Sequence, residues 1–207
     1  MKIYFAPLEG ITGYIYRRAY DECYGKGKID KYFIPFIAPN KNGSFTSMNM
    51  NNISPDNNIG INAIPQVLTS NAQQFIDTAI MLKDMGYTQI NLNLGCPSPT
   101  VVTKGKGAGF LSDTDKLNSF FENVFSSGLF QEDNNNVCKL SLSVKTRIGV
   151  NDVNEVYELF KVYNNFYFDE IIVHPRIQKE YYKGLPHIDI YKELITLSKN
   201  RLCYNSD

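Results

Sequence analysis

Short runs with strand-like patterning alternate with helix-period segments from one end of the chain to the other. Seven runs read as strands: about Lys2–Ala6, Lys31–Phe36, Ile64–Leu68, Gln89–Leu94, Leu140–Lys145, Glu170–Val173 and Arg201–Tyr204. The segments between them are amphipathic. Ser70-Asn71-Ala72-Gln73 is a capping box, opening a helix in which Phe75, Ala79 and Leu82 share a face and Gly86 stands at the C-cap. Asp113 opens a second, with Leu117, Phe120, Phe121 and Val124 at helical spacing and a stop at Gly128. Asp152-Val153-Asn154-Glu155 is another capping box, feeding Val156, Leu159, Phe160 and Tyr163, and a last helix is predicted over about Ile188–Lys199.

Repeated βα units imply a mostly parallel sheet, either doubly wound or closed into a barrel. No strand–G-x-G-x-x-G–helix unit opens the chain, which disfavours a dinucleotide-binding open sheet. The glycine run Gly105, Gly107, Gly109 has a different pattern and reads as a flexible loop. The strand ends favour the barrel. Pro7, Gln66, Asn93, Lys145, His174 and Asn205 each sit at or just past the C-terminal end of a separate strand, where barrel enzymes gather their chemistry. A barrel needs eight strands and typically about 250 residues. The expectation is therefore a single catalytic domain over residues 1–207, an α/β (β/α)8 TIM barrel truncated after its seventh strand. Two stretches look like insertions. Ala38–Ile61 reads as a long loop anchored by Phe45, Met48, Met50 and Ile53, and Gln131–Asn136 as a polar spacer.

With 207 residues, 43% of them hydrophobic and 20% charged, the chain can bury one core. The formal net charge of zero gives no compositional hint of nucleic acid. Cys23, Cys96, Cys138 and Cys203 lie far apart, without zinc-ligand spacing, so no metal site is expected. No secretory signal or bilayer-spanning run is visible, and a cytoplasmic protein with reduced thiols is the expectation.

The candidate chemistry centres on Gln89-Ile90-Asn91-Leu92-Asn93-Leu94-Gly95-Cys96-Pro97-Ser98, an alternating strand that breaks into a turn holding a thiol. A thiol with an ordinary pKa of about 8.5 is protonated at neutral pH yet able to give its proton up. Lys145 ends an apolar strand, and an ammonium placed there needs an anion or loses its proton. Cys23, Cys138 and Cys203 read as packing residues.

Six segments occur in an order and spacing that resembles the tRNA-dihydrouridine synthases. They are Ala6-Pro7-Leu8-Glu9-Gly10-Ile11-Thr12, Pro65-Gln66-Val67, Asn93-Leu94-Gly95-Cys96-Pro97-Ser98, Val144-Lys145-Thr146-Arg147, Val173-His174-Pro175-Arg176 and Tyr204-Asn205-Ser206-Asp207. The Asn-x-Gly-Cys-Pro element followed by Lys104 and Gly107 is the most specific. The resemblance implies a flavin enzyme on a TIM barrel that carries FMN, takes hydride from NADPH and reduces the C5–C6 bond of particular tRNA uridines. It implies that Pro7, Leu8 and Glu9 form the first flavin-contacting turn. Gln66 and Lys145 would bond the ring edge, His174 would add a contact, and Asn205, Ser206 and Asp207 would begin the phosphate-side loop. Asn93 would meet the uracil and Cys96 would protonate it, with Lys104 and Arg176 on the substrate side. Pro175 and Ser206 depart from the family pattern, which has a small residue and a glycine there. No counterpart of the family's C-terminal helical tRNA-binding domain is visible.

Lys104, Lys106, Arg147, Arg176, Lys179 and Lys183 lie on strand-end loops and predict a local basic rim, with Tyr181 and Tyr182 available to stack on bases. Two other readings stay open: an FMN barrel acting on a free pyrimidine such as dihydroorotate, and a non-catalytic RNA-binding fragment. An open barrel also leaves strand edges through which two copies could pair.

Overall fold

A computed structural model describes residues 1–40, 43–130 and 140–206. The expectations for Gln131–Asn136, Cys138 and Asp207 lie outside the described residues. The strands are β1 (Tyr4–Phe5), β2 (Lys31–Phe33), β3 (Ala63–Ile64), β4 (Gln66–Val67), β5 (Gln89–Leu94), β6 (Ser141–Arg147), β7 (Glu170–His174) and β8 (Leu202–Tyr204). All pairings are parallel, in the orders β1-β2-β3 and β4-β5-β6-β7-β8.

β3 and β4 are two halves of the third predicted strand, divided at Pro65. A proline has no N–H to give to a ladder. Its carbonyl still accepts from Asn91 N at 2.9 Å, while Ile64 O accepts from Ile34 N at 2.9 Å. Beyond Pro35, Ile37 rejoins the wall by donating to Gln66 O and accepting from Leu68 N. The wall is thus continuous and occupies seven of the eight positions of an α/β barrel among the described residues. β1 and β8 are its edges, separated by a groove of about 250 Å³ lined by Tyr4, Pro7, Lys145, Cys203 and Asn205.

The helices are α1 (Tyr14–Tyr20), α2 (Ser47–Ile53), α3 (Ala72–Asp84), α4 (Pro99–Val102), α5 (Thr114–Ser126), α6 (Glu155–Tyr163) and α7 (Ile188–Leu197), and α3, α5 and α6 cover the outside of the wall. Strand residues alternate between two separate apolar clusters because successive side chains point to opposite faces. Ile90, Leu92, Leu142, Val144, Ile171 and Val173 pack outward on Phe75, Leu82, Leu117, Phe121 and Leu159. Phe33, Ile64 and Ile172, with Tyr4 and Cys203, form the small inner cluster.

Three local expectations shift. The N-cap of α3 is Asn71, not Ser70, with Oδ1 accepting from Gln74 N at 2.9 Å. At α6 the capping box forms with a shift: the Glu155 carboxylate reaches back to the amides of Val150, Asn151 and Asp152, and Asp152 Oδ1 accepts from Asn154 N at 2.7 Å rather than from Glu155 N. The 38–61 segment is not a plain loop. It contains α2, capped by Thr46, and a 3-10 turn at Pro55–Asn58. Ile53 is buried but Met48 and Met50 are exposed. Phe45 packs against the core beside Ile53, and a polar anchor adds to them: buried Arg17 donates to Thr12 O, Asn52 O and Asn58 Oδ1 at 2.7–2.9 Å. Burial pulls the Arg17 guanidinium down to about 10.

The N-terminal end of the barrel is closed by charge. Lys31 on β2 reaches across to Glu170 on β7 at 2.6 Å and to neighbouring Asp169 at 3.1 Å. Tyr4 donates to the second Glu170 oxygen at 2.9 Å. Removing one member of a buried ion pair costs more than the pair is worth, because the other charge is stranded. Lys31→Met is expected to destabilise by about 3 kcal/mol, and the double change Lys31→Met, Glu170→Met to recover most of it. Urea unfolding of the three proteins measures this. A double variant as unstable as the single would show that the bridge is not the cause.

Candidate active site

The C-terminal ends of the strands surround a cavity of about 810 Å³, within the range of small-ligand and cofactor pockets. Pro7, Leu8, Glu9, Gln66, Asn93, Cys96, Lys145, His174, Asn205 and Ser206 all line it. Lys104 and Arg176 are not among its lining residues. Lys104 is exposed on the loop after α4.

Arg176 corrects the expectation of a basic rim. It is 1% exposed, with Nη2 on Gly184 O at 2.7 Å and Nη1 near both His174 Nε2 and Ser206 Oγ at 3.1 Å. Its guanidinium ties the loop after β7 to the end of β8, and no surface is left to face a substrate backbone. Arg147 is equally buried. Of the six expected rim cations, Lys104, Lys179 and Lys183 are exposed and Lys106 is partly so.

The turn that carries Cys96 is held at every backbone polar group around the thiol. Asn93 Oδ1 accepts from Gly95 N at 3.1 Å and Cys96 N at 2.9 Å. Gly95 O accepts from Arg147 Nε at 2.9 Å, Cys96 O from Ala108 N at 3.0 Å, and Pro97 O from Gln178 Nε2 at 3.2 Å. The half-buried Cys96 thiol is pushed above its ordinary value, mainly by burial. The Ser98 amide, Arg147 and Lys145 pull the other way, while Glu9 adds to the rise. Cys96 therefore holds its proton at neutral pH.

The glycine run is not a flexible loop. Gly107–Ser112 forms a buried 3-10 turn beneath the thiol. At Gly107 φ is +54°, and a Cβ there would meet Cys96 O at 2.8 Å, Val101 Cγ1 at 2.9 Å and Cys96 Cβ at 3.0 Å. Only glycine lets the backbone come this close. The sequence signal was the spacing of Gly107 from Cys96, read as part of a motif without its physical reason.

Gln66 is fully buried, and both ends of its amide are bonded to protein. Oε1 accepts from Asn93 Nδ2 at 2.7 Å and Nε2 donates to Asn91 Oδ1 at 2.6 Å. One N–H and one lone pair remain for the cavity. Lys145 is half-buried, with no hydrogen bond or ion pair among the described residues. Burial, then Arg147, lowers its ammonium to about 8. Tyr182 overhangs the cavity with Arg147 at 5.4 Å from its ring centre and His174 at 5.9 Å, and Tyr181 before it has φ +54°. Cys203 faces the inner cluster, whereas Cys23 is exposed, contrary to a packing role.

The fold and the cavity define an α/β barrel whose polar groups meet at the C-terminal strand ends, the site-bearing face of that architecture. The chain belongs to the dihydrouridine synthase family: the family model described as Dihydrouridine synthase (Dus) matches residues 4–199. It is similar to the probable tRNA-dihydrouridine synthase of Staphylococcus aureus (strain Mu50), 27% identical over 199 residues, which covers 94% of this chain and 54% of the relative. It is also similar to the probable tRNA-dihydrouridine synthase 2 of Bacillus subtilis (strain 168), 22% identical over 193 residues, covering 91% of this chain and 54% of that one. The chain spans about half the length of the curated relatives it matches. No helix among the described residues is long and apolar enough to cross a membrane, and no His/Cys/Asp/Glu group among them could hold a metal ion.

Two predictions follow from this geometry. Gly107→Ala forces a side chain into the left-handed region against Cys96 and is expected to cost about 1–3 kcal/mol. Thermal melting reads the loss, and an unchanged melting temperature would mean that the turn relaxes freely. Lys145 is depressed in the fold, so its charge penalises folding below pH 8 and the penalty fades as pH rises from about 8 towards 10.5. Without added ligand, Lys145→Met is expected to be more stable than the parent at neutral pH, with an advantage that shrinks across that window. Urea midpoints against pH test this, and a constant advantage would rule out an uncompensated ammonium.

Proposed function

We propose that this chain reduces uridine in tRNA to 5,6-dihydrouridine, with FMN in the 810 Å³ cavity and NADPH as the reductant. The observation that carries the reading is one opening shared by a protonated thiol and an unpaired ammonium, Cys96 and Lys145. The family membership and the names of the relatives support the substrate class.

The residues present suit FMN. Lys145 brings a positive charge with no protein partner among the described residues, as an anionic ring edge requires. Pro7, Leu8 and Glu9 on one side and His174, Asn205 and Ser206 on the other wall the same space. Bound there, FMN would supply a hydride to C6 of the uracil ring. Cys96 Sγ holds the proton that C5 then needs, and the raised thiol pKa keeps it available. The bound turn fixes that sulfur against the cavity. Asn93 keeps one N–H of its amide for a uracil oxygen. Lys145 offsets negative charge on the ring. A uridine must leave its stack to enter, and this is cheapest in a loop. Tyr181 and Tyr182 at the mouth and the exposed Lys104, Lys179 and Lys183 would receive the RNA. Residues 1–207 act in this reading as one catalytic barrel domain, and the β1 and β8 edges offer a place for two copies to pair.

Purified protein is expected to take up FMN and to form dihydrouridine in unmodified tRNA when NADPH is added. Cys96→Ala should keep its flavin and lose about 10²–10⁴-fold in turnover. Protein that takes up no FMN would favour a non-catalytic RNA-binding role. Turnover of a free pyrimidine but not of tRNA would favour a dihydroorotate-type reaction.

A further inference from the structure

Asn91 and Ser143 do not line the cavity, yet they are linked to the Cys96 turn by an unbroken line of hydrogen bonds. Gly95 N–H and Cys96 N–H donate to Asn93 Oδ1. Asn93 Nδ2 donates to Gln66 Oε1 at 2.7 Å, Gln66 Nε2 to Asn91 Oδ1 at 2.6 Å, and Asn91 Nδ2 to Ser143 Oγ at 2.8 Å. Ser143 Oγ donates to Ile90 O at 3.4 Å. The side chains belong to β4, β5 and β6, and all four are at least 93% buried.

Every bond in this line points the same way. One end is backbone N–H, which can only donate, and the other is a backbone carbonyl, which can only accept. Each carboxamide between them therefore has a single allowed orientation, and turning one over would set donor against donor and acceptor against acceptor. Bonds aligned head to tail also polarise one another. We propose that Asn91, backed by Ser143, is a positioning residue for Cys96: it orients Gln66, Gln66 orients Asn93, and Asn93 oxygen holds the turn that presents the thiol. The catalytic meaning of this rests on Cys96 as the proton donor proposed above. The positioning itself does not.

The test reads the turn directly. A maleimide probe labels the protein at about pH 6.5, where a buried carboxylic acid stays neutral, and peptide mass spectrometry gives the rate at Cys96, with exposed Cys23 as the internal control. Asn91→Leu removes both amide contacts and is expected to speed Cys96 labelling about three- to tenfold, the worth of one lost hydrogen bond. Asn91→Asp, whose neutral carboxyl accepts and donates at the same two places, should return Cys96 to the parent rate, and Cys23 should not change in either variant. A lowered melting temperature with unchanged Cys96 labelling, or no rescue by Asn91→Asp, overturns the proposal. If Asn91→Leu does not fold, Ser143→Ala takes its place: faster Cys96 labelling supports the chain and an unchanged rate overturns it. No flavin or tRNA is needed, so a protein unable to reduce uridine would defeat the reading of Cys96 chemistry and leave this result standing.

Discussion

Carboxamides buried side by side inside a barrel must find partners in one another, and three such groups leave little choice of arrangement. The interior of an α/β barrel is usually filled by layers of Val, Ile and Leu. Here one inner wall carries Gln66, Asn91, Asn93 and Ser143, all at most 7% exposed. Each unsatisfied group would cost about 1–3 kcal/mol. The wall avoids that cost in one orientation only, and that orientation aims the Asn93 oxygen at the turn of Cys96. A requirement of burial thus becomes a fixed position for a thiol.

The two ends of the barrel treat charge in opposite ways. At the N-terminal end the Lys31 ammonium meets Asp169 and Glu170. At the C-terminal end Lys145 has no carboxylate within bonding reach among the described residues, and Arg147 beside it is spent on Gly95 O and Ile177 O. Both C-terminal cations are depressed by burial; Arg147 lowers Lys145 further, and Arg176 lowers Arg147. An anion entering the cavity would relieve that strain, whereas nothing remains to be relieved at the paired end. This division matches the separation of stability and function between the two faces of such barrels.

Much of this was legible in order along the chain. Strand and helix periods located the wall and its covering helices, because alternation and 3.6-residue spacing follow from local geometry. The residues singled out at the strand ends and by the family resemblance marked the cavity, and ten of them line it: Pro7, Leu8, Glu9, Gln66, Asn93, Cys96, Lys145, His174, Asn205 and Ser206. Residue type was a poorer guide to exposure. Arg147 and Arg176 have the composition of a surface and the partners of a core, since a guanidinium can be buried wherever carbonyls converge on it. The 38–61 segment, rich in Asn, concealed a helix whose polar anchor, Arg17, lies far back in the chain.

The amino-acid order by itself determined the parallel βα wall, the family resemblance and the thiol–lysine pair, because those depend on periodicity and on short motifs within one strand end. Tertiary structure alone decided which donor faces which acceptor. Asn91 looks like one more polar position on β5 until Gln66 and Ser143 arrive from neighbouring strands, and Gly107 looks like loop until Cys96 closes over it. Hydrogen-bond direction and close backbone approach are properties of segments brought together in space, and no reading along a single strand contains them.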